Sequence, residues 1–444
     1  MTNPEHDVFK SRVSDLMPEL ISELEHLVSI PSVAFPGYPP EPVLDMANAT
    51  MTLLHQSGAP NARLLDVPGD YPAVYADIPG PEGAPTLLLY AHYDVQPAPL
   101  EQGWETDPWT PTHRNGRMYG RGAADDKSGI IAHLGLLRAF GGTPPVNVKV
   151  LIEGMEETDS HLEDFVENNP ELVRCDAAVI CDSGNPSVGV PGLTTALRGT
   201  VSFVIEVDTL DHPLHSGVFG GGAPDALTAL TRMIASLHDA NGDVAVSGLH
   251  SFAWDSGSVD EAGFRRDAEV LDGVELIGSG DLASRLWSKP SISVIGMDVP
   301  SVAGASNVLL PSAKAHVSMR VAPGANLDAE FETVKSHLLA NAPWGARVNI
   351  EPGRFGAAYR TTASEPATAA LEAAFGEQVR LIGQGGSIPL VNTLAAISPE
   401  ADMILWGAED TAQARIHASN ESVDLAELER IILTQVLLAA NMAK

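Results

Sequence analysis

Five short segments of this chain carry side chains able to bind a metal ion or move a proton. "LLLYAHYDV" supplies His92 and Asp94, "GRGAADDKSG" supplies Asp125 and Asp126, and "LIEGMEE" supplies Glu156 and Glu157. "AVICDSG" supplies Asp182, and "ARIHASNES" supplies His417. Taken singly, each has an ordinary reading. A histidine after a strand is usually a surface or internally satisfied residue, and a carboxylate there usually forms a turn or caps a helix, as Asp126 would before "KSGIIAHLGLLRAF". Taken together, they are a crowd of acids with only Arg121 and Lys127 close by in sequence to balance it. Like charges repel and resist desolvation, and bound dications remove that difficulty.

Imidazole and carboxylate donors fit zinc, with manganese or cobalt as alternatives. His92, Asp125, Glu157, Asp182 and His417 suffice for two divalent cations if one carboxylate bridges and one histidine and one acid complete each site. Two cations about 3.5–4 Å apart can clamp a nucleophilic water. The adjacent glutamates at 156 and 157 then divide the work: one binds metal while the other accepts the water's proton. Asp94, two residues after His92, is placed to orient its imidazole.

Segments so far apart converge only if a scaffold collects them. From about residue 86 the chain alternates continuous apolar runs with helical segments. "TLLLYAHYD", "VNVKVLIEG" and "DAAVICDSG" read as buried strands, and "DKSGIIAHLGLLRAF" as a helix between two of them. Strands without polar alternation, separated by helices, indicate a mainly parallel sheet with helices on both faces, an α/β architecture. Such a sheet binds ligands beyond the carboxyl ends of its strands. Residues 11–28 carry apolar side chains at helical spacing until "SIPSVAFPGYPPEP" breaks the pattern. From about 196, half-alternating strands ("GTVSFVIEVDT", "SISVIGMD", "AKAHVSMRVAP", "RVNIEPG") surround helical runs near 224–238 and 328–340, the texture of a separate α+β domain. Helix-and-strand texture returns after "RFGAAYR", with "ADMILWGAED" as another buried strand. The expected organisation is a first domain over 1–195 and 357–444, interrupted by a smaller one over 196–356. Residues 240–289 are rich in Gly, Asp and Ser and have no clear element.

A chain of 444 residues is too long for one ordinary core. Its formal charge of −32, from 58 acidic and 26 basic residues, argues against a nucleic-acid partner. No apolar stretch approaches a membrane span, and "MTNPEHDVFK" has no secretory pattern. The two cysteines, Cys175 and Cys181, lie in or beside an apolar run and read as reduced thiols, so a cytoplasmic location is expected.

The motifs "HYDVQP", "GRGAADDKSG", "EGMEE", "LHSGVFGG", "NVLLPSAKAHVSMRVAPG", "GQGGSIP" and "IHASNES" occur in one order along nearly the whole chain. In this the sequence resembles the dinuclear zinc exopeptidases that include carnosinase, Xaa-His dipeptidases, carboxypeptidase G, acetylornithine deacetylase and succinyl-diaminopimelate desuccinylase. The resemblance implies that His92, Asp125, Glu157, Asp182 and His417 bind the metals, with Asp125 bridging and Asp94 behind His92. It implies that Glu156 is the general base and that the Asp125–Asp126 peptide bond is cis. The inserted domain resembles that family's ferredoxin-like lid and dimerisation domain, so a homodimer is implied. His215 would donate a hydrogen bond to the substrate carbonyl oxygen, the alternative being a histidine that only caps a helix. Arg320 would pair with the substrate carboxylate rather than form a strand-edge salt bridge. Asn307 would help hold the substrate, and Gly386 and Ser387 would meet the C-terminal carboxylate. An Asp at position 182, where the deacylases have Glu, favours a carnosinase-like dipeptidase acting through a metal-bound hydroxide on short peptides. An amidohydrolase that deacylates N-acyl amino acids is the nearest alternative, and a non-catalytic binding protein on the same fold a remote one. No G-x-x-x-x-G-K-[ST] or G-x-S-x-G motif occurs, which leaves a nucleotide site or a serine nucleophile without support.

Overall fold

The computed structural model describes residues 3–444, which form two compact units. The first comprises the chain up to Thr195 together with Thr361–Ile382 and Leu390–Lys444, and the second Ala196–Arg360 with Gly383–Pro389.

At the centre of the first unit four strands run parallel, in the order Asn147–Glu153, Thr86–His92, Ala177–Ile180, Asp402–Leu405. Ala73–Ile78 and Gly192–Leu197 flank them antiparallel. Leu87, Leu88, Leu89, Tyr90 and Ala91 are all fully buried, so the strand that ends at His92 is covered on both faces. This is why its sequence runs apolar without alternation. Each fully buried leucine contributes roughly 1.5–3 kcal/mol of transfer free energy, offset largely by ordering entropy. Helices Asn3–Val28, Lys127–Ala139 and Leu425–Met442 share this core through Leu20, Leu24, Ile131, Leu134, Ile432 and Val436. Asp126 starts the helix Lys127–Ala139 by accepting the Gly129 N–H at its Oδ1, 3.1 Å away.

The second unit is built on a four-stranded antiparallel sheet in the order Ser291–Asp298, Ser312–Val321, Gly199–Asp208, Arg347–Gly356. With helices Ala226–Ala235 and Leu327–Ala340, its chain order is strand–helix–strand–strand–helix–strand, a ferredoxin-like arrangement. Val201, Phe203, Ile205, Val317 and Met319 join Leu230, Met233, Phe331 and Val334 in its core. The intervening positions, Thr200, Ser202, Ser318 and Arg320, are consequently on the opposite face of the sheet. The Gly-, Asp- and Ser-rich stretch holds two short helices, Glu261–Asp267 and Leu282–Trp287, and Trp287 packs edge-on against Trp254 with centroids 5.2 Å apart.

Gly383–Pro389, which carries "GQGGSIP", belongs to the second unit and not to the C-terminal part of the first. The reason is local contact: Gln384 O accepts the Arg198 N–H at 3.0 Å, and Ser387 lies against Gly356. A Cβ at Gly356 would fall 2.7 Å from Ser387 Oγ, so glycine lets the serine hydroxyl approach this closely.

Candidate metal centre

Strand register brings the donors to one edge. His92 stands opposite Glu153, Tyr90 opposite Ile180, and Ile180 opposite Leu405. The turn bearing Glu156 and Glu157 and the loop bearing Asp182 therefore leave the sheet at the same edge as His92. Asp125 is delivered by the turn before its helix, across a cis bond to Asp126. Asp126 Oδ2 accepts the His92 N–H at 3.2 Å and ties that turn to the strand end.

One carboxylate links the rest. Asp125 Oδ1 is 3.0 Å from His92 Nε2, which is 3.8 Å from Asp182 Oδ1. Asp125 Oδ2 is 2.9 Å from His417 Nε2, which is 3.2 Å from Glu157 Oε2. Two donor groups result, His92–Asp125–Asp182 and Asp125–Glu157–His417, each with one ligand atom per residue within 4.8 Å of the others. The structure thus brings together all five residues that the sequence nominated as ligands.

Asp94 does more than stand behind His92. Its backbone oxygen lies 3.0 Å from His92 Nδ1, with its Oδ1 at 3.4 Å. Its two carboxylate oxygens accept the backbone N–H groups of Glu156 and Glu157 at 3.0 and 3.1 Å. One buried aspartate therefore fixes both the imidazole and the turn that presents the glutamate pair. Glu156 is half-buried in that turn.

The electrostatics test whether cations belong here. Burial pushes up the carboxyls of Glu156, Glu157 and Asp182, and neighbouring acids add to the effect: Asp182 at Glu156, and Asp125 at both Glu157 and Asp182. Burial would raise Asp125 as well, but hydrogen bonds from His417 and His92 outweigh it and hold that carboxyl well below the usual range. Burial opposes the charged form of both rings, yet the hydrogen bonds to these acids push His417 up to about 11 and His92 well above its ordinary value. Both sets of shifts favour the uptake of protons, on the imidazoles and on the crowded acids, which is the response of a cluster with too little positive charge. The two nearby cations do not relieve it. Lys127 Nζ donates to the carbonyls of Leu27 and Ile30, at 2.9 and 2.8 Å, and Arg121 is paired with Glu421. Two imidazoles and three carboxylates, one of them shared, fit two dications.

The other nominated residues lie in the second unit. His215 is exposed at the start of the short helix Ser216–Phe219, and its Nδ1 accepts the Gly217 N–H at 3.1 Å. It is therefore a capping histidine, and the cap leaves the ring proton on Nε2, free to donate. Asn307 is exposed and accepts the Ser216 N–H at its backbone oxygen, 2.9 Å away. Arg320 donates from Nη1 to Thr200 Oγ1 at 2.6 Å, a hydroxyl in place of a strand-edge acid. Ser387 is half-buried beside Gly356 and Gly386 is exposed.

Two residues escaped the sequence reading. Gln96 donates from Nε2 to Glu157 Oε2 at 2.7 Å; its signal is its place in "HYDVQP", four residues after His92. Arg198 donates from Nη1 to Ser291 Oγ at 3.2 Å. Ser291 stands opposite Arg320, which stands opposite Thr200, so both guanidinium groups share the polar face of the sheet. Burial, then the charge of Arg320, brings Arg198 down to about 10. No local pattern in the sequence marks this pairing.

A parallel sheet whose carboxyl edge meets two imidazoles and a shared carboxylate fits a metal-dependent hydrolase. The chain belongs to peptidase family M20/M25/M40, whose sequence model matches residues 88–441. It is 41% identical over 365 residues to a cysteinylglycine-S-conjugate dipeptidase of Corynebacterium striatum, covering 79% of this chain and 80% of that one. It is 29% identical over 445 residues to a Cys-Gly metallodipeptidase of Schizosaccharomyces pombe, covering 92% of each. Its fold matches the crystal structure of human carnosine dipeptidase 1 with a TM-score of 0.83 at 24% identity, over 98% of both chains. Among the described residues, no helix is long and apolar enough to cross a membrane.

Proposed function

We propose that this chain is a two-metal dipeptidase that hydrolyses the peptide bond of dipeptides and short peptides with a free C-terminal carboxylate. His92, Asp125 and Asp182 would hold one divalent cation, and Asp125, Glu157 and His417 the other, with zinc the first choice for both. The observation that carries the reading is the single carboxylate of Asp125 lying between two histidines. The dipeptide substrates of the relatives support the choice of substrate class.

When bound, two such cations supply the positive charge that acidifies a water and polarises the scissile carbonyl. The residues do the rest. Glu156 accepts the proton of the attacking water at a carboxylate oxygen and delivers it to the leaving nitrogen. Asp94 holds His92 and the Glu156–Glu157 turn in place during that transfer. His215 is assigned to the carbonyl oxygen, donating from Nε2. Arg320, with Arg198 beside it, Ser387 and the Gly386 amide are assigned to the C-terminal carboxylate, and Asn307 to holding the substrate. A fixed cationic fork favours a carboxylate at one end, which restricts the substrate to short peptides.

We also propose a homodimer through the second unit and a cytoplasmic location. The edge strand Ser291–Asp298 leaves Val294, Ile295 and Met297 exposed, and an unpaired apolar edge of this kind suits pairing with a second copy. Both cysteines are free thiols, which suits a reducing compartment.

The test is a zinc-loaded protein assayed against a dipeptide panel and against N-acetyl and N-succinyl amino acids. Turnover of the dipeptides, abolished by a chelator and restored by zinc, is the expected result. Turnover confined to the N-acyl amino acids would replace this reading with the deacylase alternative.

A further inference from the structure

The two donor groups are not supported alike. His92 ends one strand of the central sheet and Asp182 follows another by two residues, so both inherit the rigidity of its hydrogen-bond ladder. His417 stands in a loop with its side chain 53% exposed, so packing of its own ring does little to hold it. Its backbone is also in a region that favours glycine: Arg415, His417 and Asn420 have φ of 53°, 61° and 61°. Three non-glycine residues in left-handed conformations within six positions need something outside the loop to hold them.

Asn420 is tied at its Oδ1 to the Glu105 N–H at 2.9 Å, and Glu421 supplies the buried part of the hold. Its side chain is fully buried. Oε1 accepts the N–H groups of Ala124 and Asp125 at 2.9 and 3.1 Å, and Oε2 accepts the Gly122 N–H at 3.0 Å and Arg121 Nη1 at 2.6 Å. Four donors fill the lone pairs of one carboxylate, so Glu421 has none to offer a metal. Its backbone oxygen accepts the Gly120 N–H at 3.0 Å. Arg121 continues the link by donating from Nη2 to the carbonyl of Ala418, the residue after His417, at 3.2 Å. One buried ion pair thus grips the turn that delivers Asp125 and the loop that delivers His417.

We propose that Glu421 is a positioning residue for the Asp125–Glu157–His417 group, acting on it through the backbone of Asp125 and through Arg121. The proposal rests on the two-metal reading above. Its consequence is an asymmetry: loss of the carboxylate weakens this group far more than His92–Asp125–Asp182, because only this group depends on both gripped segments. A residue that merely supported the fold would weaken both alike.

The test uses the full-length chain, stripped of metal and titrated with Zn²⁺ by equilibrium dialysis. In Glu421→Gln the amide nitrogen must face either the Gly122 and Arg121 donors or the Ala124 and Asp125 donors, so the grip is broken in either orientation at nearly constant volume. The expected result is one ion bound as in the wild type and a second weakened at least tenfold. Equal weakening of both ions, or two ions bound as tightly as in the wild type, would overturn the proposal. Should Glu421→Gln fail to fold, Arg121→Lys decides by the same criterion, since it keeps the charge but loses the fork. Hydrogen exchange on the metal-free proteins separates this proposal from the one beneath it. Faster exchange at Ala124, Asp125 and residues 415–421 in the variant is expected even if the wild type proves to hold fewer than two ions, an outcome that would end the two-metal reading alone. Unchanged exchange there would end the positioning role.

Discussion

The carboxylate of Asp125 faces His92 with one oxygen, at 3.0 Å, and His417 with the other, at 2.9 Å. Two histidines from distant parts of the chain thus meet across a single acid. If both donor groups hold metal, their losses should be unequal. Asp125→Asn should lose both ions, while Asp182→Asn and His417→Ala should each lose one. Metal content after dialysis against micromolar free zinc reads this directly. Two ions retained by Asp125→Asn would remove the bridging role.

Glu156 follows a different rule, because its carboxylate belongs to neither donor group. Glu156→Gln should keep both ions and lower kcat by roughly 10²- to 10⁴-fold, the range for loss of a positioned general base. Metal analysis and kinetics on the same preparation check it. Full turnover in that variant would move the proton transfer elsewhere.

Arg320 makes a prediction about the substrate. Charge-assisted hydrogen bonds contribute about 1.5–3 kcal/mol, so Arg320→Gln should lower kcat/KM for free-carboxylate dipeptides by roughly ten- to a hundredfold. Capping the C-terminus as an amide should cost the wild type a similar factor and the variant little, since the partner is already gone. Comparing kcat/KM for a dipeptide and its amide in both proteins decides the matter. An equal loss on the two substrates would assign Arg320 a structural role.

The cysteines carry a pH signature away from the metal centre. Burial pushes the Cys175 thiol up to about 11, and Cys181, fully buried, well above its ordinary value. Alkylation of the native protein at pH 8 should therefore be slow at both. At Cys175 it should keep accelerating with pH beyond about 10, where an exposed thiol has levelled off. The linkage has a definite sign. The unfolded thiol ionises near 9 and the folded one near 11, so the native state holds more protons between those values and its stability falls as pH rises through them. Mass spectrometry of alkylated peptides across pH, native and denatured, measures both sites. Rapid labelling of Cys175 at pH 8 in the native protein would contradict the upward push on this half-buried thiol.

The scaffold and the donors were legible to different degrees. The strands ending at His92 and Ile180 show as unbroken apolar runs because both faces of the sheet are covered, while the strand ending at Glu153 is interrupted by the half-buried Lys149. The strands of the second unit show alternation because one face is polar. Residues 240–289 gave no reading, since their two helices are too short to show a period. The "GQGGSIP" segment does not show which unit it joins, because a glycine-rich turn records nothing about which neighbour it lies against. The double duty of Asp94, the reach of Gln96 to Glu157 and the pairing of Arg198 with Arg320 all depend on contacts between segments.

The sequence by itself determined which residues could ligate and which local elements would present them. Those choices follow from side-chain chemistry and from periodicity, and both are written over a few neighbouring residues. The tertiary structure decided that one aspartate lies between two histidines and that a buried glutamate grips both of the segments bringing Asp125 and His417 together. Such relationships depend on strand order, on register and on loop conformations held by distant side chains, none of which any short window of residues encodes.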